Sequence, residues 1–164
     1  MQIKKPETFE ELLNLQRILD ETIDKPRENK FKPRHRNIYD MEMSIIAEVI
    51  EFNEENLKEE AIDILFFFLQ LINRKVSDNR DFNLSFFQWE WKHLFEDNSI
   101  IVYSDEAEMR IIKNISCNDI YRAFVNLIYL YIAYGISQDE VYSIYYEKWQ
   151  KNMERINKDW TLKK

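Results

Sequence analysis

Glycine, proline and cysteine are scarce in this chain. Its 164 residues include one Gly, three Pro and one Cys. This composition argues against β-hairpins, glycine-rich phosphate loops and dinucleotide-binding turns, because all of them depend on glycine. The single cysteine, Cys117, cannot form an intramolecular disulfide, and we expect it in the core of a cytoplasmic protein. What remains is an all-α protein.

Excess positive charge and long apolar runs are also missing. Lys and Arg number 23 against 30 Asp and Glu, so the net charge is −7. This balance gives no overall attraction for nucleic acid, and the basic segment 25–36 is interpreted as a solvated loop. The longest apolar stretches, 62–72 and 124–134, are about half the roughly 20 residues of a membrane span. We therefore expect neither nucleic-acid nor membrane partners.

The length and the balance of residue types predict one globular domain. With 45% hydrophobic and 32% charged residues, the 164-residue chain can bury a core without a disulfide staple. We therefore treat 1–164 as a single all-α domain. Residues 75–117 have the weakest pattern and are treated as an insert, with an aromatic helix at 86–95 and a β-branched run at 100–103.

Helical periodicity and capping signals divide the rest of the chain. Apolar residues recur at helical spacing in five segments: 8–23, 39–52, 57–74, 118–135 and 138–157. Asn56 followed by Glu59 predicts a capping box that opens the third helix, and Ser137 with Glu140 predicts one that opens the last. Gly135, the only glycine, is a natural stop for the fourth helix.

Two pairs of acidic residues stand on consecutive predicted helices. Glu48 and Glu51 are three residues apart on the second helix. Glu60 and Asp63 have the same spacing on the third, so each pair points from one face of its helix. A turn after residue 52 folds the two helices antiparallel and brings the four carboxylates level.

The surroundings of these carboxylates are apolar. Asp63 is followed by the run 64–69, which is apolar on every side and predicts a buried helix. Converging carboxylates there cost several kcal/mol per ion unless cations compensate. Oxygen ligands with spare coordination positions suit Mg²⁺ or Mn²⁺ that also binds phosphate oxygens. The alternative is a solvated acidic face, and the position of Asp63 inside the apolar run weighs against it.

Polar residues interrupt two apolar helix faces. The inward stripe of the last helix continues to Lys148, Asn152 and Arg155, where more core is expected. Gln16 interrupts the stripe of the first helix in the same way. The alternatives are an exposed helix end and a satisfied core amide. Beside a buried acidic cluster, however, these cations and amides together predict a site for a metal-bound polyphosphate.

These motifs resemble those of the dimeric all-α dUTP pyrophosphatases, relatives of the MazG-type nucleotide pyrophosphatases. The family's ExxE and ExxD motifs are matched at 48–51 and 60–63. Its YxxKxxxNxxR tail is matched at 145–155, and its LQxxLD-like opening segment at 15–20. The resemblance implies a helical bundle of the all-α NTP pyrophosphatase type. Its implied reaction is hydrolysis of dUTP to dUMP and pyrophosphate, which sanitises the nucleotide pool.

The resemblance also implies roles for individual residues. It assigns Mg²⁺, with Mn²⁺ as an alternative, to four ligands: Glu48, Glu51, Glu60 and Asp63. Glu51 is the first candidate to orient or deprotonate the attacking water, and Glu48 is the second. The remaining contacts are expected from four residues: Lys148 and Arg155 at the phosphates, and Gln16 and Asn152 at the base or sugar.

The expected partners are a deoxyuridine nucleotide and, by family likeness, a second copy of the chain. Phe67 lies one helical turn after Asp63, where its packing would exclude the methyl group of thymine. Two alternative functions fit the same residues. One is a MazG-like or dCTP-preferring nucleoside triphosphate pyrophosphatase, and the other is a catalytically degenerate helical interaction protein. Turnover of a nucleotide panel separates them, because the interaction protein would hydrolyse none.

Overall fold

The computed structural model describes residues 3–24, 36–97, 99 and 101–158. These residues form seven α-helices: α1 (Phe9–Asp24), α2 (Ile38–Glu55), α3 (Lys58–Asp78), α4 (Leu84–His93), α5 (Ser104–Ser116), α6 (Ile120–Ala133) and α7 (Gln138–Lys158). A 3-10 turn, Leu94–Glu96, follows α4, and no described residue lies in a strand. None of these helices is by itself long and apolar enough to cross a membrane. Taken together, α6 and α7 have sufficient length and apolar character, but they are bent by 102° relative to each other. The predicted all-α fold is confirmed.

Two of the three predicted helix boundaries are right, namely the end of α6 and the start of α7. The backbone N–H of Glu140 donates to Ser137 Oγ at 3.1 Å and that of Ser137 donates to Glu140 Oε1 at 3.4 Å, which confirms the capping box of α7. Gly135 has a φ of 69° just after α6, as expected of a helix stop. The box predicted at Asn56 is wrong. Asn56 ends α2 in the left-handed conformation, with a φ of 57°, and Leu57 precedes α3 without a side-chain cap.

The segment 75–117 is more helical than the sequence predicts. α4 lies close to the predicted aromatic helix, whereas the sequence did not predict α5, in which Ala107, Ile111 and Ile115 are buried at a four-residue spacing. The predicted β-branched run ends in residues 101–103, which lead into α5 and form no strand. Cys117 is exposed at the end of α5, so its predicted core position is wrong. The division into domain and insert stays a prediction, and residues 25–35 of the predicted basic loop lie outside the described residues.

Buried aromatic side chains hold the helices together and keep their polar atoms bonded. The Trp149 indole N–H donates to the Leu15 carbonyl at 2.7 Å, which ties α7 to α1. The Tyr131 hydroxyl donates to the Ala61 carbonyl at 2.9 Å, which ties α6 to α3. Each bond avoids the roughly 1–3 kcal/mol that an unsatisfied buried polar group costs. As a result α1, α2, α3 and α7 surround one side of the core, with α5 packed on α2 and α6.

Candidate active site

Three of the four predicted metal ligands meet between α2 and α3. Glu48, Glu51 and Glu60 each offer one carboxylate oxygen, and these oxygens all lie within 4.8 Å of one another. The short connection at Asn56 and Leu57 folds α3 back onto α2, so the end of one helix and the start of the next face each other. We call Glu48, Glu51 and Glu60 the acidic cluster.

Asp63, the fourth predicted ligand, is paired with a cation. Its Oδ1 lies 2.8 Å from the Nζ of Lys148 on α7, and both side chains are half-buried. The sequence placed Lys148 at the phosphates of a nucleotide. In this structure its ammonium lies beside a carboxylate, where it compensates part of the negative charge at the acidic cluster.

Two carboxyl groups of the acidic cluster hold their protons unusually tightly. Burial, followed by repulsion from Asp63 and neighbouring carboxylates, raises the pKa of Glu48 and of Glu60 to about 7, although the Lys148 ammonium opposes both shifts. Glu48 Oε2 is buried and accepts no hydrogen bond from the residues that the structure describes. A buried carboxylate oxygen without a donor is costly, and a hard divalent cation is the partner that such an oxygen set prefers. The residues therefore fit a divalent metal.

The metal-free protein is expected to lose stability as the pH rises from about 5 to about 8. Glu48, Glu60 and Asp20 have folded-state pKa values raised to about 7, above the ordinary 4.5 of Glu and 3.8 of Asp. The folded state thus binds more protons than the unfolded state in this window. The stabilisation that these protons give the folded state is lost as the pH passes 7. After solvent screening we expect a net loss of roughly 1–2 kcal/mol, or about 3–8 °C in Tm.

Thermal unfolding in EDTA at both ends of that pH range measures this effect. Saturating Mg²⁺ should shrink the difference, because the cation replaces the protons. The Glu48→Gln variant should flatten part of the profile, since an amide does not titrate. A Tm that stays constant or rises with pH in EDTA would contradict the burial of these carboxyl groups.

The acidic cluster borders a large open cleft between α1, α2, α3 and α7. Its volume is about 1580 Å³, above the roughly 300–1,000 Å³ of most small-molecule pockets. Six residues that the sequence singled out line it: Gln16, Glu48, Asp63, Phe67, Asn152 and Arg155. Gln16 is buried, Phe67 and Asn152 are half-buried, and Arg155 is exposed. Within the described part of the chain, Glu51, Glu60 and Lys148 lie outside this lining.

A second polar group lies in the same cleft, on α1 and α3. Gln16 and Gln70 each donate an Nε2–H bond to Asp20 Oδ1, both at 3.0 Å. The Tyr145 hydroxyl donates to Gln16 Oε1 at 2.9 Å, and the buried Gln70 Oε1 has no partner within the described part of the chain. Asp20 and Gln70 were not predicted as site residues from the sequence. Gln70 could have been predicted from the sequence, because it interrupts the apolar run of α3 as Gln16 interrupts the apolar face of α1.

Asp20 is a carboxyl group that changes its hydrogen-bonding character near neutral pH. Burial raises the pKa of Asp20 to about 7, against the lowering effect of the bonds from Gln16 and Gln70. Repulsion from Asp24 adds to the shift, and the Arg36 guanidinium opposes it. A protonated Asp20 donates one hydrogen bond, whereas the ionised form only accepts. This part of the cleft thus presents both acceptors and a titratable donor.

Arg36 and Phe67 form another wall of the cleft. The guanidinium carbon of Arg36 lies 5.0 Å from the centroid of the Phe67 ring, a cation–π contact. Arg36 also donates to the Asp40 carbonyl at 2.8 Å and to the Ser44 hydroxyl, which fixes the guanidinium over the ring. Arg36 was predicted to lie in a solvated loop, and its place in the lining of the cleft was not predicted.

Comparison with known proteins gives one family. A family model described as dUTPase matches residues 8–160 of the chain. That range contains the acidic cluster and all the cleft residues described above. No curated protein and no solved structure matches the chain.

Proposed function

Since the chain belongs to the dUTPase family and is a dUTP diphosphatase, we propose that it splits dUTP into dUMP and pyrophosphate at the cleft beside the acidic cluster. In the cytoplasm, this reaction would clear dUTP from the nucleotide pool. The observation that carries the proposal is the meeting of the carboxylate oxygens of Glu48, Glu51 and Glu60 within 4.8 Å at the border of the cleft.

We propose Mg²⁺ as the metal, with Mn²⁺ as the alternative. The family implies a divalent metal in general, and the buried, unpartnered Oε2 of Glu48 supports a cation at the acidic cluster. Four residues would hold the metal: Glu48, Glu51, Glu60 and Asp63. When bound, the metal polarises the phosphoryl group and neutralises charge on the leaving pyrophosphate.

Glu51 is our first candidate to orient or deprotonate the attacking water, and Glu48 is the second. Glu51 is exposed, so water from the solvent reaches its carboxylate directly. Glu48 is half-buried, and its pKa of about 7 keeps part of it protonated at neutral pH when no metal is bound. Glu51 is therefore the more accessible of the two carboxylates to the attacking water.

Lys148 and Arg155 are the proposed phosphate ligands. They lie seven residues apart on α7, two turns along the same face. Arg155 lines the cleft and is exposed, so its guanidinium is available to a phosphate oxygen. Lys148 is bound to Asp63 in this structure. To bind a phosphate oxygen, the Lys148 ammonium would have to leave Asp63, which is one of the four residues that would hold the metal.

Gln16, Asn152 and Phe67 are the proposed contacts to the base or sugar, now joined by Gln70. Gln16 uses one N–H on Asp20 and its oxygen on Tyr145, which leaves one N–H for a ligand. The unpartnered oxygen of Gln70 can accept the imide N–H of uracil. Cytosine presents a bare nitrogen at that position, so the same oxygen repels it. This pattern supports uracil over cytosine.

Base selectivity is expected to depend on Gln16 and Gln70. We expect kcat/KM to favour dUTP over dTTP by a wide margin, and dUTP over dCTP by a margin that Gln70→Leu narrows about tenfold. Gln16→Ala should also lower the preference, because it removes a support of Asp20. Gln150→Ala on the exposed side of α7 is the matched control.

The same nucleotide panel tests the proposed function. Unchanged selectivity in Gln16→Ala and Gln70→Leu would show that the base is read elsewhere. Preferred turnover of dCTP would favour the dCTP-preferring alternative. No turnover of any nucleotide with Mg²⁺ would favour the interaction protein.

A homodimer is the proposed assembly. α2 carries exposed apolar side chains, with Tyr39 66%, Met43 44% and Ile50 48% exposed, and Met43 also lines the cleft. Their spacing of four and seven residues places them along one stripe. Apolar side chains in such a stripe favour contact with another surface, and the family likeness suggests a second copy of this chain.

A further inference from the structure

α5 packs against α2 and brings a buried carboxylate to the end of that helix. Glu108 is only 4% exposed. Its Oε2 accepts a hydrogen bond of 2.6 Å from the Nδ2 of Asn53, which is 55 residues away in sequence. Asn53 follows Glu51 by two positions on α2. This bond therefore joins α5 to the helical turn next to the acidic cluster.

The α2–α3 turn is fastened at a second point by Tyr134, which follows α6. Asn56 donates its Nδ2–H to the Asn53 carbonyl at 3.2 Å and accepts a bond from the Tyr134 hydroxyl. The Tyr134 ring packs edge-on against Phe52, with 4.8 Å between ring centroids. The α5–α6 pair thus holds this turn through both Asn53 and Asn56.

The conformation of this turn decides whether two metal ligands can share one ion. Glu51 precedes Asn56 by five residues and Glu60 follows it by four, so a shift in the turn moves the two carboxylates relative to each other. Their mutual repulsion favours separation until a cation is bound. A fixed turn resists that separation and keeps the carboxylates close.

The carboxyl group of Glu108 is poorly suited to a purely stabilising role. Burial raises the pKa of Glu108, and the bond from Asn53 only partly opposes this, while Asp105 adds repulsion. Replacing Glu108 with an apolar residue of similar volume would remove this desolvation cost and leave only the exposed Asn53 amide without its partner. A carboxylate at this position therefore suggests a role in orientation.

We propose that Glu108 is a positioning residue for the metal site, which acts through Asn53 to keep Glu51 and Glu60 close enough to share one divalent cation. This inference rests on the proposed function, because it presupposes a metal at the acidic cluster. By this role, α5 in the segment 75–117 contributes to the metal site. Glu108 then controls the affinity for metal and leaves the chemistry at saturating metal largely unchanged.

Mn²⁺ binding to the nucleotide-free protein, followed by electron paramagnetic resonance, tests the proposal together with the Mg²⁺ dependence of dUTP hydrolysis. Glu108→Leu should weaken Mn²⁺ binding and raise the Mg²⁺ concentration for half-maximal activity by about tenfold, as expected when a ligand's support is lost. Its kcat at saturating Mg²⁺ should stay within about twofold of wild type, and its Tm should not fall. Glu108→Gln keeps an acceptor for Asn53 and should bind Mn²⁺ like wild type.

Two further variants keep the test decisive. Asn53→Ala removes the same bond at an exposed position, so it should reproduce the weaker binding even if Glu108→Leu fails to fold. Glu106→Leu on the exposed face of α5 is the matched control and should leave Mn²⁺ binding unchanged. Mn²⁺ affinity in Asn53→Ala equal to that of wild type would overturn the positioning role.

The remaining outcomes separate this inference from the proposed function. Wild-type protein that binds no Mn²⁺ would overturn the proposed metal site itself. Normal binding by wild type and by Glu108→Leu would overturn only the role of Glu108. A loss of kcat at saturating Mg²⁺ together with a lower Tm in both Glu108 variants would show a structural role, and would overturn the positioning role as well.

Discussion

Glu48→Gln is expected to lower kcat for dUTP hydrolysis by at least about 10³-fold, because it removes a metal ligand. The same change should raise the Tm of the metal-free protein at about pH 8, where the wild-type carboxyl group is ionised. The pKa of Glu48, about 7, reflects the cost of burying its charge and the repulsion from Asp63. An amide is uncharged, so neither effect applies to it. Activity and stability should therefore change in opposite directions, as measured by steady-state kinetics and thermal unfolding.

Asp63→Asn provides an informative contrast. It should also abolish hydrolysis, but it breaks the 2.8 Å ion pair with Lys148, so its Tm should fall. Glu54→Gln, at an exposed acid on the same helix as Glu48, is the control for charge alone and should leave both quantities near wild type. Near-normal turnover by Glu48→Gln would contradict the assignment of the acidic cluster as the metal site.

Lys148→Ala is expected to lower kcat/KM for dUTP by about 10²-fold, through the loss of a charge-assisted contact to phosphate. The variant should weaken binding of a non-hydrolysable dUTP analogue far more than binding of deoxyuridine, which has no phosphate. Isothermal titration calorimetry measures both affinities. Lys148→Ala also leaves Asp63 without its cation partner, so we expect a lower Tm at about pH 8.

Lys151→Ala is the matched control for this prediction. Lys151 lies on the same helix, is exposed, and pairs with Glu147 at 3.2 Å, away from Asp63. Lys151→Ala should leave nucleotide affinity unchanged and should alter the free energy of unfolding by no more than about a few tenths of a kcal/mol. Equal losses of affinity for the triphosphate analogue and the nucleoside in Lys148→Ala would show that Lys148 acts only through the fold.

The meeting of the carboxylates could be predicted from the sequence because local rules suffice for it. A spacing of three residues fixes which face of a helix carries each acid, and a break near residue 55 leaves little freedom in how two helices fold back. The prediction did not depend on the capping details. Asn56 is a good N-cap and also tolerates the left-handed conformation, so its residue type alone did not distinguish the start of α3 from the end of α2.

Contacts between distant segments could not be predicted in the same way. The ion pair of Asp63 with Lys148 depends on how α7 lies across α3, which helical spacing within α7 does not specify. The bond between Asn53 and Glu108 depends on the presence of α5. Only a few apolar residues of α5 recur at a spacing of four, and they follow a β-branched run, so this helix was not predicted. Asp20 was missed because its bond to Gln70, 50 residues away on α3, depends on how α1 packs against α3.

Quantification of the products formed from dUTP tests the central claim most directly. Wild-type protein with Mg²⁺ should release dUMP and pyrophosphate in equal amounts, as resolved by ion-exchange chromatography. EDTA should stop the reaction, and Glu48→Gln should form neither product at a measurable rate. Release of dUDP and phosphate, undiminished hydrolysis in EDTA, or the absence of any product from wild-type protein would contradict a metal-dependent dUTP pyrophosphatase at this acidic cluster.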